Sequence, residues 1–313
     1  MIPRRLGEAT SQYERDAEAA IRRIDAWRGK NVVYSMLVGG LSNQNWRVEV
    51  EGDDRSYFLK VPGAGTEMFI DRALANEAAA NAFVLGLGPE VISFDPKSGV
   101  EVSEFLDGYR ACVTSDFLST EIQMQVIDIY RRLHAGPKLS RTKTAFDMVE
   151  EHLAQARKLG GQLPEDVDWL ERRFNEAKAA FHASGLDLVS SYNDPMPGNF
   201  LIADGRPIRL IDCEYASYNE RASEIGLLSA EMFYDETVTS SLIEAYYGHV
   251  SRQFFARVYI CRALADLRWG FWGAVNRKNS AWDFDYQKYS AWKFIRARET
   301  LLDPRWDSWV RAV

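Results

Sequence analysis

The chain has 313 residues, 46% hydrophobic and 27% charged, with a net charge of −7 and a pI near 5.3. That length holds one large core or two lobes, and the acidic balance lacks the basic footprint a nucleic-acid partner requires. With no apolar run of about eighteen residues, no apolar leader-like segment and three scattered cysteines (Cys112, Cys213, Cys261), we expect no membrane insertion, disulfide framework or zinc site, and a cytoplasmic protein.

Residues 11–28 carry charged residues and alanines at helical spacing and predict a surface helix. Residues 31–38 form the first expected strand. The turn Gly39-Gly-Leu-Ser-Asn leads into Trp46-Arg-Val-Glu-Val, which alternates cleanly, and Tyr57-Phe-Leu-Lys-Val is a third strand stopped by Pro62-Gly. An Ala-rich helix is expected over 66–85, ended by Gly86-Leu-Gly-Pro. Val91-Ile-Ser-Phe and Val100-Glu-Val-Ser-Glu-Phe-Leu then read as two strands around Asp95-Pro-Lys-Ser-Gly. Residues 1–105 are thus expected as a small antiparallel sheet with one inserted helix.

After Leu106 the pattern becomes helical, over 119–135, 144–160, 165–184, 222–232, 237–248, 251–276 and 285–302, with strands only around 191–212. The expected fold class is α+β, with a sheet-rich first lobe (1–105) and a larger, mainly helical second lobe (106–313). Chemistry is expected at their junction.

The most specific stretch is Ser191-Tyr-Asn-Asp-Pro-Met-Pro-Gly-Asn-Phe-Leu-Ile, followed by Leu210-Ile-Asp-Cys-Glu. Phe200-Leu-Ile and Ile208-Arg-Leu-Ile flank the turn cluster Ala203-Asp-Gly-Arg-Pro, which predicts a hairpin. Antiparallel register then sets Asn199 opposite Asp212 to within a residue or two. A carbonyl oxygen and a carboxylate form the hard-oxygen set that suits Mg2+ carrying nucleotide phosphates. Asp194, on the loop leading in, is placed to accept a hydroxyl proton. The pattern reads as a phosphotransferase. Turn residues alone would favour the same composition; the strand, turn and strand ending in Ile-Asp argue for a site.

Lys60 lies on a strand, and Glu77 on the following helix; as a pair they would aim an ammonium at α- and β-phosphates. Solvated surface roles are the plain alternative for each. Gly40, Ser42 and Asn43 sit in a turn whose amides and hydroxyl suit phosphates, although its spacing matches no established phosphate loop and a simple hairpin turn fits it as well. Glu104 joins the lobes, where backbone can meet an adenine edge. His134, His152, His182 and His249 show no metal-ligand spacing. Trp269 and Trp272 share one helix face, as Tyr286 and Tyr289 share the next. Their pattern fits both helix packing and a box of π-faces around a quaternary ammonium.

At these residues the chain resembles the choline/ethanolamine kinases, a branch of the aminoglycoside-phosphotransferase-like group with the protein-kinase fold. The likeness runs from about Val33 to about Phe294 and rests on Gly39-Gly-Leu-Ser-Asn-Gln-Asn, Asn193-Asp-Pro-Met-Pro-Gly-Asn-Phe-Leu, Ile211-Asp-Cys-Glu-Tyr-Ala-Ser-Tyr-Asn and Trp269-Gly-Phe-Trp. It implies an ATP-dependent kinase of a small amino alcohol, choline or ethanolamine, in phospholipid-precursor metabolism. By position, Asp194 would be the catalytic base, Asn199 and Asp212 the magnesium ligands, and Lys60 with Glu77 the phosphate-orienting pair. Glu231 would lie near the substrate, and Trp269, Trp272 and Tyr289 would wall a choline pocket.

Two positions depart from the family pattern. Tyr192 replaces its usual His before Asn-Asp, and Asp235-Glu236 stand where another aromatic is usual; an acid there would favour a primary amine. Kinases of aminoglycosides or sugars are remoter variants. From another class, a non-catalytic kinase-like binding protein is opposed by the presence of Lys60, Asp194, Asn199 and Asp212.

Overall fold

A computed structural model describes residues 2–37, 39, 43–63, 65–280 and 283–313. Gly40 and Ser42, expected in the phosphate-facing turn, and Trp282 lie outside the described residues. The chain divides into two compact units, Met1–Ala111 with Leu201–Glu214, and Cys112–Phe200 with Tyr215–Val313. The first unit therefore runs six residues beyond position 105 and takes in the predicted hairpin.

The first unit begins with β1 (Arg4–Arg5), α1 (Gln12–Ile21), β2 (Val32–Leu37), β3 (Asn43–Val50), β4 (Ser56–Pro62), α2 (Arg72–Val84), β5 (Val91–Phe94), β6 (Glu101–Glu104) and β7 (Arg110–Ala111). Six strands form one antiparallel sheet in the order β1-β2-β3-β4-β6-β5. The alternation legible in the sequence is the reason. Val32 and Tyr34, Trp46 and Val48, and Tyr57 and Leu59 point to one face, where they pack with Ala17, Ala20 and Ile21 of α1. Burying side chains of this size stabilises by roughly 1.5–3 kcal/mol each. Glu18 ties α1 down, accepting from Tyr34 Oη at 2.9 Å and from the Gly7 and Ala9 amides at 2.7 and 3.0 Å.

Two boundaries differ from the expected ones. Asp71 caps α2, accepting from the Leu74 amide at 3.2 Å, so the helix starts at Arg72 rather than 66. The helix expected over 11–28 stops at Ile21, and a single tight turn at Asp25–Trp27 follows.

The chain continues through α3 (Thr120–His134), α4 (Ala145–Lys158), α5 (Val167–Ser184), β8 (Leu188–Ser191), β9 (Phe200–Ala203), β10 (Arg206–Leu210), β11 (Ser217–Glu220), α6 (Ala222–Glu231), α7 (Glu236–Tyr247), α8 (Arg252–Asn279), α9 (Tyr286–Leu301) and α10 (Trp306–Val310). The hairpin is β9–β10, extended by β7 on the β9 side. Gly205 turns it with φ +67, a left-handed conformation that favours glycine.

In the second unit α8 is the axis, buried on nearly every side by α4, α6 and α9. Two glycines permit the close crossings. A Cβ on Gly226 of α6 would lie 2.7 Å from the Val258 carbonyl oxygen, and one on Gly270 of α8 would lie 2.7 Å from the Phe294 ring of α9. Beside this bundle, β8 pairs antiparallel with β11, Ser191 opposite Ser217.

Candidate active site

The β8–β11 pairing brings the loop after β8 (residues 192–199) alongside the chain entering β11. Asn193 is the hub. Its Nδ2 donates to the Tyr215 carbonyl at 3.0 Å and Ser217 Oγ at 2.8 Å, and its Oδ1 accepts from Asn219 at 2.8 Å. Its amide donates to Glu224 Oε1 at 2.7 Å, and its carbonyl accepts from Arg268 Nη1 at 3.0 Å. These bonds hold Asn193 at φ 66, a left-handed state that few residues other than glycine adopt. Glu224, 1% exposed, also accepts from the Tyr192 amide at 3.1 Å. Tyr192 is buried, its ring edge-on to Phe200 at 6.3 Å, which is a packing role.

This scaffold presents Asp194. Asn199 Nδ2 donates both to the Asp194 carbonyl, at 3.2 Å, and to its carboxylate Oδ2, at 3.1 Å. The carboxylate is thereby aimed, and the other amide atom of Asn199, its carbonyl oxygen, takes no part in those bonds.

The aromatic residues expected around the substrate also converge in the second unit. Trp269 and Trp272 sit 5.5 Å apart between ring centroids, Tyr289 of α9 lies 5.8 Å from Trp272, and Tyr215 lies 5.0 Å from Trp269. Gly273 allows this, because a Cβ there would run into Ser290 and lie 3.1 Å from the Tyr289 ring of α9. Glu231 is present too, but it is paired with Lys293 at 2.6 Å, and the Lys293 ammonium lies 5.2 Å from the Tyr289 ring centroid. Burial pushes the Tyr289 phenol well above its ordinary pKa, with Glu231 adding to the shift. Asp235 and Glu236 have other tasks. Asp235 caps α7 through the Val238 amide at 2.8 Å, and Glu236 is paired with Arg305 at 2.8 Å.

In the first unit the chemistry gathers around Lys60. Its ammonium lies 3.4 Å from Glu214, 3.7 Å from Asp212 and 3.9 Å from Glu101. Burial works against this charge, but the three carboxylates outweigh it and hold the lysine pKa above its ordinary value. Glu77, the partner expected from sequence, sits half-buried on α2. Asn43 donates to Glu214 at 2.8 Å. The Glu104 amide donates to the Glu90 carbonyl at 2.9 Å, and Glu104 helps line a cavity of about 330 Å³ with Phe83, Tyr109 and Arg206.

Asp212 has φ 61, and its carboxyl is pushed up to about 7 by burial and by the neighbouring Glu214, against the pull of Lys60. Its Oδ1 is enclosed and accepts no hydrogen bond. A hard carboxylate oxygen that faces the Lys60 ammonium at 3.7 Å without a hydrogen bond, beside surplus negative charge, fits a divalent cation. Among the described residues no cluster of three His, Cys, Asp or Glu forms a metal cage. Mg2+ is usually held by one or two protein ligands together with phosphates and water, so a single carboxylate such as Asp212 is chemically suited to contribute to such a set. Cys213 is pushed up to about 12 by burial and Asp212, which makes it unreactive.

Sequence reasoning missed four participants. Glu101 lies opposite Lys60 in the β4–β6 register, a pairing invisible without the sheet. Glu214 stands two residues after Asp212, close enough for the motif itself to have suggested it. Glu224 interrupts the mostly apolar α6, which was the available signal; Arg268 is one of several charged residues along α8, and its sequence gives no such signal.

A family model for choline/ethanolamine kinase matches residues 34–262. Among relatives, the chain is 23% identical to probable choline kinase 2 of Arabidopsis thaliana over 329 residues, covering 94% of this chain and 91% of that one. Among solved structures it is similar to a choline/ethanolamine kinase family protein from Mesorhizobium loti, with a TM-score of 0.79, 26% identity, and coverage of 96% and 98% of the two chains. It shares its fold with choline kinase LicA from Streptococcus pneumoniae, at a TM-score of 0.76, 21% identity, and coverage of 93% and 99%. The α+β fold is thus the protein-kinase-like one, and the chain belongs to the choline/ethanolamine kinase family.

Proposed function

We propose that the protein transfers the γ-phosphoryl group of ATP to the hydroxyl of choline or ethanolamine, in a reaction that requires Mg2+. The observation that carries this reading is the Asp194–Asn199 pair within a loop whose polar groups are engaged on all sides. The Asp194 carboxylate accepts the hydroxyl proton as the alcohol oxygen attacks the γ-phosphorus and ADP leaves. Asn199 orients that carboxylate. Lys60, kept charged by its carboxylates, meets the α- and β-phosphates. Asp212 and the Asn199 carbonyl oxygen hold the magnesium, which when bound neutralises phosphate charge. Gly40, Ser42, Asn43 and Glu104 remain assigned to the nucleotide, Glu77 to supporting Lys60, and Glu231, Trp269, Trp272 and Tyr289 to the alcohol.

The test is ATP consumption with a panel of amino alcohols, sugars and aminoglycosides, with and without Mg2+, and the product identified by phosphorus NMR. A phosphate ester of choline or ethanolamine, formed only with Mg2+, supports the proposal. Turnover confined to a sugar or aminoglycoside, or none at all, would reject it.

A further inference from the structure

The aromatic cluster already holds a cation. Arg268 precedes Trp269 on α8, and its guanidinium carbon lies 4.3 Å from the Trp269 ring centroid and 5.0 Å from that of Tyr215. The side chain is 4% exposed. Nη1 donates to the Asn193 carbonyl, while Nε and Nη2 are enclosed and have no hydrogen-bond partner. Arginine does not shed its proton in proteins. A buried guanidinium with two unmatched nitrogens depends on the negative π-faces beside it for electrostatic compensation. Those faces belong to Trp269 and Tyr215.

A quaternary ammonium makes no conventional N–H hydrogen bonds, so its recognition rests on π-faces and net negative charge. Both are reduced here. Arg268 lies over Trp269 and Tyr215, and Lys293 is paired to Glu231 and lies over Tyr289. The carboxylates nearby already face cations: Asp194 and Glu224 act on Arg268, Glu231 is paired with Lys293 and Asp266 with Arg296, which weakens the field left for a further cation. A primary ammonium is different, because its N–H groups can bond a carboxylate directly.

We propose that Arg268 is a specificity-determining residue, a tethered cation that turns the site away from trimethylammonium head groups and toward primary-amine alcohols. This rests on the kinase reading above and narrows it. The experiment is calorimetric binding of ethanolamine, its N-methyl and N,N-dimethyl derivatives, and choline, to wild type, Arg268→Gln and Arg268→Lys. Glutamine keeps a donor for the Asn193 carbonyl but removes the charge; lysine keeps the charge.

Wild type and Arg268→Lys are expected to bind more weakly with each added methyl, by tenfold or more from ethanolamine to choline. In Arg268→Gln the gap should close or invert. Choline binding to wild type as tightly as ethanolamine, the same gap in a folded Arg268→Gln, or no binding of any member by wild type would each overturn the proposal. If Arg268→Gln does not fold, the wild-type and Arg268→Lys series still decide. Phosphoryl transfer is measured separately. Absence of ATP turnover with every alcohol would count against the kinase reading, because the binding series does not depend on it.

Discussion

The loop around Asn193 and the cluster around Lys60 solve different physical problems. In the loop, the donors and acceptors of Asn193 meet partners on β11, α6 and α8, so geometry is fixed by hydrogen bonds. At Lys60, one ammonium faces three carboxylates, and Asp212 Oδ1 has no donor. The first arrangement is complete as it stands. The second is an unbalanced field that a cation and phosphates would complete. Position is built into one region, and charge is left open in the other.

The contrast can be broken from either side, and the largest effect is expected at Asp194. Asp194→Asn keeps the shape of the loop and removes the base, so kcat should fall by about 10²–10⁴-fold at an unchanged melting temperature. Comparable turnover in that variant would end the assignment. Lys60→Met removes the ammonium that counters the cluster. Breaking a buried ion pair costs about 3–5 kcal/mol, so the ligand-free variant should melt well below wild type at pH 8. It should recover as the pH falls and Asp212, its carboxyl pushed up to about 7, protonates. Melts at pH 8 and pH 5 check this.

A smaller loss is expected at Glu224. Hydrogen bonds to charged groups contribute about 1.5–3 kcal/mol each, and Glu224 accepts from two loop amides. Glu224→Gln should lower the melting temperature by a few degrees and reduce kcat with it, whereas ATP affinity should hold. Equal loss of nucleotide binding would mean that the loop and the cluster are not separable in the way drawn here.

The smallest effect concerns pH. The carboxyl of Asp212 is pushed up to about 7 in the folded protein, against about 3.9 in an unfolded chain. Its ionisation therefore opposes folding, progressively from about pH 4 to pH 7 and fully above. Asp212→Asn should raise the ligand-free melting temperature at pH 8 and leave it unchanged at pH 4. The gain should be modest, because the side chain keeps 36% of its surface exposed and solvent screens it.

How far the sequence discloses the molecule follows from where its signals are apolar. The β2, β3 and β4 strands alternate, and the hairpin carries a turn cluster, so these elements and the order of Asp194, Asn199 and Asp212 along the chain are legible. The β11 strand is not, because Ser217-Tyr-Asn-Glu looks like loop; its Ser217, Asn219 and Glu220 are buried through hydrogen bonds and ion pairs rather than apolar packing. Asn193 reads as a turn residue although it is the hub of the loop, since partners on three distant elements cannot be inferred from its neighbours. The aromatic residues are legible as a cluster, but not the cations on them, because Arg268 and Lys293 look like ordinary helix residues until α8 and α9 are packed.

The most direct measurement of the central contrast is a calorimetric titration of ADP, with and without Mg2+, into wild type, Asp194→Asn and Asp212→Asn. The account predicts that Asp194→Asn keeps the wild-type strengthening of nucleotide binding by Mg2+, and that Asp212→Asn loses it. Strengthening that survives in Asp212→Asn, or disappears in Asp194→Asn, would contradict the division between a region that fixes position and a region that receives charge.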